Sequence, residues 1–217
     1  MSLEAFQSER ELMVRDQLQA RGITDERVLE TFRRVPRHVF VPASEQANAY
    51  ADRPLAIGSG QTISQPYIVA LMTQVLRLQG HERILEIGTG SGYQGAILAE
   101  LALELYSVER VRELAETALH RWKSLGYLNV HVRISEGGLG WPEEAPFEAI
   151  IVTAGAPRIP PPLVDQLAPG GRLVIPVGSQ ETQRLTLVER RGVRVEVTEI
   201  GNCVFVPLLG EYGWPAG

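Results

Sequence analysis

The chain is poor in lysine and cysteine, and it has no long apolar run. Of its 21 basic residues, Lys123 is the only lysine and the other 20 are arginine. A Walker-type phosphate loop needs its lysine directly after a glycine, and Lys123 follows Trp122, so that class is excluded. Schiff-base chemistry finds little support for the same reason. A single cysteine, Cys203, excludes an intramolecular disulfide and a thiolate-rich zinc site. With 26 acidic residues the formal net charge is −5, which argues against a surface built for nucleic-acid phosphates. No stretch approaches the ~18 apolar residues of a membrane span. Charges at Glu4, Glu9, Arg10 and Glu11 interrupt the apolar core that a signal peptide would need. The expectation is a cytoplasmic protein with neither membrane nor nucleic acid as a partner. What remains is ordinary: 217 residues, 44% hydrophobic and 22% charged, enough to bury ~70% of the unfolded surface without staples.

Residues 3–20 read as a loosely amphipathic helix on Leu3, Phe6, Leu12, Val14 and Leu18, ending at Gly22. Asp25 and Glu26 open a second helix to about residue 34. Residues 54–64 are turn-rich, with Gly58-Ser59-Gly60 at their centre, and Pro66 can start a helix to about residue 78. After Gly80 short apolar strands (83–87, 105–108, 130–134, 149–152, 172–177) alternate with helical stretches at 93–103, 111–125 and 160–167. Strands apolar on both faces, alternating with helices, predict a parallel sheet covered by helices. Segments 184–190, 193–200 and 204–208 are strand-like with short connections, which predicts antiparallel pairing there.

The informative loop is Glu86-Ile87-Gly88-Thr89-Gly90-Ser91-Gly92-Tyr93, between the first of these strands and its helix. Alternate glycines let the backbone turn sharply and approach a ligand, and the helix N-terminus beyond offers free N–H groups. Residues 90–95 also fit the G-x-G-x-x-G dinucleotide pattern, but that register leaves Gly88 unexplained. A carboxylate at Glu86 would repel a pyrophosphate and attract the cationic amino-acid end of S-adenosylmethionine, which is therefore favoured over NAD. Glu109 ends the second strand 21 residues after Gly88, where an acid accepts from ribose hydroxyls, or else it is a solvated acid before the next helix. Glu136, in Ser135-Glu136-Gly137-Gly138 after the third strand, is either an adenine contact or an exposed loop acid. No metal site is expected, since no acidic cluster or histidine pair has ligand spacing. A carboxylate acceptor, already ionised at pH 7, needs orientation and desolvation rather than a base, which fits the lack of an obvious catalytic histidine or lysine.

Further segments give these features a common source: Gln61-Thr62-Ile63-Ser64-Gln65-Pro66-Tyr67, Gly140-Trp141-Pro142-Glu143-Glu144-Ala145-Pro146-Phe147, Ile151-Val152-Thr153-Ala154-Gly155-Ala156-Pro157, the run from Pro169 to Gly178, and Phe205-Val206-Pro207-Leu208. With the glycine loop they make the chain resemble the protein-L-isoaspartate (D-aspartate) O-methyltransferase family along nearly its whole length. The resemblance implies an S-adenosylmethionine-dependent repair enzyme, with S-adenosylhomocysteine as product. Its substrates are proteins and peptides carrying L-isoaspartyl residues, whose α-carboxylate receives the methyl group before a succinimide forms. It implies Ser64 as the active-site serine, with Thr62 and Ile63 lining the cofactor pocket. Glu86 and the loop Gly88, Thr89, Gly90, Ser91 and Gly92 would hold the methionine end. Glu109 with Arg110 would serve the ribose, and Glu136 with Gly137 the adenine. Read as local structure alone, Ser64 could instead cap the helix beginning near Pro66. The chain departs from the family in three places: Ser135-Glu136-Gly137 stands where Gly-Asp-Gly is usual, Val204 where arginine is common, and Tyr67 where some members have histidine.

The resulting expectation is an α/β, Rossmann-like methyltransferase fold with a mostly parallel sheet, antiparallel C-terminal strands and an N-terminal helical extension. It is read as one methyltransferase domain over residues 1–217. Residues 1–79 supply the extension and active-site segment, and 80–217 the cofactor-binding core. Two other classes stay open at this point: a nicotinamide oxidoreductase using the 90–95 pattern, and a binding module on a methyltransferase scaffold.

Overall fold

The computed structural model describes residues 6–215, so the expected start of the first helix at residue 3 lies outside the described residues. Helix α1, Gln7–Leu12, runs on as a wider-wound segment and a tight last turn that closes at Gly22, φ 92°. The aspartate at position 25 caps α2, Glu26–Arg34, by accepting from the Arg27 and Val28 N–H groups. The turn-rich stretch is a small hairpin of β1, Leu55–Gly58, and β2, Gln61–Ile63. Its loop, Ser59-Gly60, takes positive φ at both positions, the geometry that matches strand twist. Two-residue loops leave such short strands without a legible hydrophobic period, so the sequence showed only turns.

Helix α3, Pro66–Leu76, leads to the repeating unit: β3 (Arg83–Ile87), α4 (Tyr93–Ala99), β4 (Glu104–Glu109), α5 (Arg112–Ser124), β5 (Val130–Ile134), β6 (Phe147–Val152), α6 (Pro161–Asp165) and β7 (Leu167–Gly178). Two long strands, β8 (Gln183–Arg191) and β9 (Arg194–Cys203), complete a seven-stranded sheet of order β5-β4-β3-β6-β7-β8-β9. Pairings from β5 to β7 are parallel, and β7-β8 and β8-β9 are antiparallel. The expected class of fold is thus present. The expected strand at 204–208 is not: Pro207 supplies no donor, and the segment makes isolated contacts instead, Gly155 bonding Val206 and Leu208 and the Trp214 N–H donating to the Leu208 carbonyl.

Strand alternation sorts the core. Ile84, Leu105 and Ile151 face the layer holding Phe32, Ile97 and Trp122, whereas Leu85, Tyr106 and Ile150 face the layer holding Leu163. From β3 the chain steps to β4 on one side, and from β5 it crosses back to β6 on the other. The loops after β3 and β6 therefore diverge and open a crevice at the carboxyl ends of the strands, the usual ligand position in such sheets.

Candidate active site

The cleft at this switch point is lined by the glycine loop, the end of β4, the turn after β6, the hairpin segment 61–64 and residues 206–209. Gly88 adopts φ 94°, and a Cβ there would lie 2.4 Å from Thr153 Oγ1, so the position requires glycine twice over. Thr153 in turn donates to the Gly88 carbonyl at 2.7 Å, locking the first loop to the sixth strand. Glu109 Oε2 accepts from the Gly90 N–H and Oε1 from the Val111 N–H, both at 2.9 Å. The carboxylate thereby fixes the loop's path and remains on the cleft wall. Arg110 stands exposed at the rim.

Of the expected site residues, Thr62, Ile63, Ser64, Gly88, Thr89, Gly90, Ser91, Glu109, Arg110 and Gly137 come together on this cleft. Three do not. Gly92 turns away and packs against Ala118 and Trp122, whose indole N–H donates to its carbonyl. Glu136 is exposed outside the cleft, its carboxylate against Gly210. Glu86 is fully buried on the helix-covered face, because alternation along β3 sends residues 84 and 86 to the same side. It pairs across the sheet with Ser107, whose hydroxyl donates to Glu86 Oε2 at 2.6 Å. Burial raises the Glu86 pKa to about 8, opposed by the Ser107 hydrogen bond and reinforced by the Glu109 charge. Burial thus favours the neutral form of the acid, and the side chain does not reach the lining of the cleft, where its negative charge was expected to hold a cationic ligand end. Ser107 passes the contact on to Thr89 Oγ1 at 2.6 Å, so Glu86 supports the loop from below.

Ser64 stands where two grooves meet. It lines the cleft just described and also a second groove between α3 and the end of β9, the two sharing Thr62, Ser64, Thr153 and Val206. The helix-cap alternative fails, because α3 is capped at Gln65 without any side-chain hydrogen bond. Among the described residues no group hydrogen-bonds the Ser64 hydroxyl, which leaves it available to a ligand. Its carbonyl accepts from Arg37 Nη2 at 2.7 Å, while Arg37 Nε donates to the Ala49 carbonyl at 2.7 Å. This arginine is fully buried, its pKa lowered to about 10 by loss of solvent, and its guanidinium lies 4.8 Å from the centre of the Tyr93 ring.

A profile described as protein-L-isoaspartate (D-aspartate) O-methyltransferase matches residues 7–213. The chain belongs to that family. A protein-L-isoaspartate O-methyltransferase of Syntrophobacter fumaroxidans is 58% identical over 209 residues, covering 96% of this chain and 98% of the relative. One from Methanoculleus marisnigri is 53% identical, covering 99% and 97%. Among solved structures, a protein-L-isoaspartate O-methyltransferase superposes with a TM-score of 0.86 at 28% identity, covering 94% of this chain and 67% of that one. A second, from Plasmodium falciparum and solved in complex with S-adenosyl-L-homocysteine, gives a TM-score of 0.80 at 28% identity, covering 92% and 98%.

Sequence reasoning missed Arg37 and Thr153, which lie far from the glycine loop in sequence, and Gln94, which follows that loop directly and lines the cleft. Arg37 opens a short turn between Pro36 and Pro42, and nothing in its spacing named Ser64 as its partner.

Proposed function

We propose that the chain is an S-adenosylmethionine-dependent protein-L-isoaspartate O-methyltransferase that methylates the α-carboxylate of L-isoaspartyl residues and so starts their repair. The observation that carries this reading is the position of Ser64, at the junction of the glycine-loop cleft and an open second groove. The residues present fit S-adenosylmethionine. Gly88 leaves no room for a Cβ, Glu109 offers carboxylate oxygens to hydroxyl groups, and Val108, Val111 and Leu208 give the cleft apolar walls. A pyrophosphate fits poorly, because Glu109 faces it and Arg110 is, among the described residues, the only cation on the lining.

Bound S-adenosylmethionine would supply an electrophilic methyl group on a sulfonium sulfur. Glu109 would hold the ribose and Thr89, Gly90 and Ser91 the methionine portion, with Gly137 flanking the adenine. Thr62 and Ile63 would line the cofactor pocket. The Ser64 hydroxyl would donate to one oxygen of the acceptor carboxylate and so aim the other at the methyl carbon. No general base is required, since the acceptor is ionised at neutral pH and needs only orientation and removal from water. The methyl ester is more reactive than the carboxylate, so the adjacent backbone nitrogen displaces methanol to close a succinimide. Hydrolysis of that ring returns part of the chain to ordinary aspartate.

In this reading residues 1–79 contribute the Ser64 segment and 80–217 the cofactor core. The cytoplasm is taken as the place of action, where an unpaired thiol such as Cys203 persists in reduced form. Among the described residues no helix is long and apolar enough to cross a membrane. Damaged proteins are the partners, and no role is assigned to nucleic acid.

The test is incubation with methyl-labelled S-adenosylmethionine and paired peptides that differ only in isoaspartyl against aspartyl linkage. Base-labile label on the isoaspartyl member alone is expected. Equal labelling of both, or none, refutes the reading.

A further inference from the structure

The second groove is almost uncharged. Its walls are Tyr67, Ile68 and Leu71 of α3 on one side and Ile200 to Val206 on the other, with Ser64 at the end that meets the cleft. Val204 lies on this wall and is 71% exposed, so the position brings no charge. Among the described residues Arg21 is the one ionic side chain on the lining.

Arg21 is also held in place. Its guanidinium stacks on the Tyr67 ring, 3.6 Å from the centroid, and Nη1 donates to Asp52 Oδ2 at 2.6 Å. The same carboxylate oxygen accepts from Gln65 Nε2 at 2.8 Å, which ties the arginine to the residue next to Ser64. Stacking and a single-point clamp fix the plane of the guanidinium while leaving Nε and Nη2 without partners among the described residues. Asp52 does not line the groove, so the charge presented there is positive. A planar fork with donors to spare, half-exposed at 43%, suits a carboxylate.

We propose that Arg21 is a specificity-determining residue that reads an acidic side chain flanking the isoaspartyl residue of the acceptor chain. The proposal rests on the function given above. An acceptor whose α-carboxylate lies at Ser64 must run its flanking residues along this groove, because the other opening of Ser64 is the cofactor cleft. A glutamate or aspartate reaching Arg21 gains an ion pair, whereas a lysine there meets a fixed like charge. Direct engagement of the reacting carboxylate by Arg21 is disfavoured, since a salt bridge draws electron density from the oxygen that must attack.

The experiment uses isoaspartyl peptides in which one residue, moved through the three positions on each side, is Glu, Gln or Lys. At one or more positions the wild-type kcat/KM should follow Glu above Gln above Lys, each step roughly two- to fivefold, the range of a partly exposed ion pair. Arg21→Gln should abolish the order and Arg21→Glu should reverse it, with the wild-type preference shrinking as salt is raised. A thermal shift with S-adenosylhomocysteine confirms that each variant is folded and still binds at the cleft. A wild-type enzyme indifferent to flanking charge at every position overturns the proposal, as does an order that survives in Arg21→Gln. Both results leave isoaspartyl methylation standing. Failure to methylate any peptide removes the functional reading and this proposal with it.

Discussion

Replacing Glu86 by glutamine keeps the side chain's shape and removes its titration from the interior of the sheet. The pKa rises from 4.5 to about 8 on folding because the side chain is fully buried with no cation beside it. Between those values the folded chain holds a proton that the unfolded chain has lost. The stabilisation is therefore complete below about pH 4.5 and drains away as pH climbs to about 8. One pH unit corresponds to about 1.4 kcal/mol, so by pH 7 the loss is on the order of 3 kcal/mol. Glutamine has no such slope. Urea unfolding of both proteins between pH 5 and 8 should show the variant gaining on the wild type by roughly 1 kcal/mol per pH unit, with other titrations cancelling in the difference. Near pH 5 the two should be similar, because the Ser107 hydroxyl can donate to the amide oxygen as it does to the acid. A stability difference that stays flat across this range would falsify the assignment of Glu86 as a buried neutral acid.

Two further outcomes follow from the site. Ser64→Ala should lower kcat by roughly ten- to a hundredfold, the worth of a hydrogen bond to a charged group, while the Kd for S-adenosylhomocysteine changes little. Steady-state kinetics beside isothermal titration separates the two, and loss of cofactor binding alone contradicts the role given to Ser64. Gly88→Ala forces a Cβ into Thr153 Oγ1 at a left-handed position, so it should cost about 1–2 kcal/mol or more and weaken cofactor binding. A variant with unchanged Tm and unchanged Kd would show that the loop tolerates a displacement of Thr153.

Periodicity carried the core of the fold. Alternating apolar strands and helices from residue 83 onward were legible because the central strands β3, β4 and β6 are buried on both faces. Gly88 was legible too, since a glycine directly after a strand carries a backbone requirement that no other residue meets easily. The hairpin at 55–63 was not, because strands of four and three residues are too short for a period. Position 204–208 misled for the opposite reason: apolar residues suggested a strand, and they are apolar because Val206 and Leu208 line the cleft.

The sequence by itself determined the chemistry on offer: one lysine, one cysteine, a glycine loop after a strand, and Ser64 in a distinctive segment. Only the tertiary structure decided which of these groups meet. Glu86 carries a charge on paper, but pairing β3 against β4 places it in the dry interior opposite Ser107, and loss of water raises its pKa there. Arg21 is one of 20 arginines in the sequence, and folding alone makes it, among the described residues, the only charge on the lining of the second groove, stacked on Tyr67 and clamped to Asp52. Side-chain type follows from the sequence, whereas solvation and neighbours depend on contacts between distant segments, and these govern ionisation and selectivity.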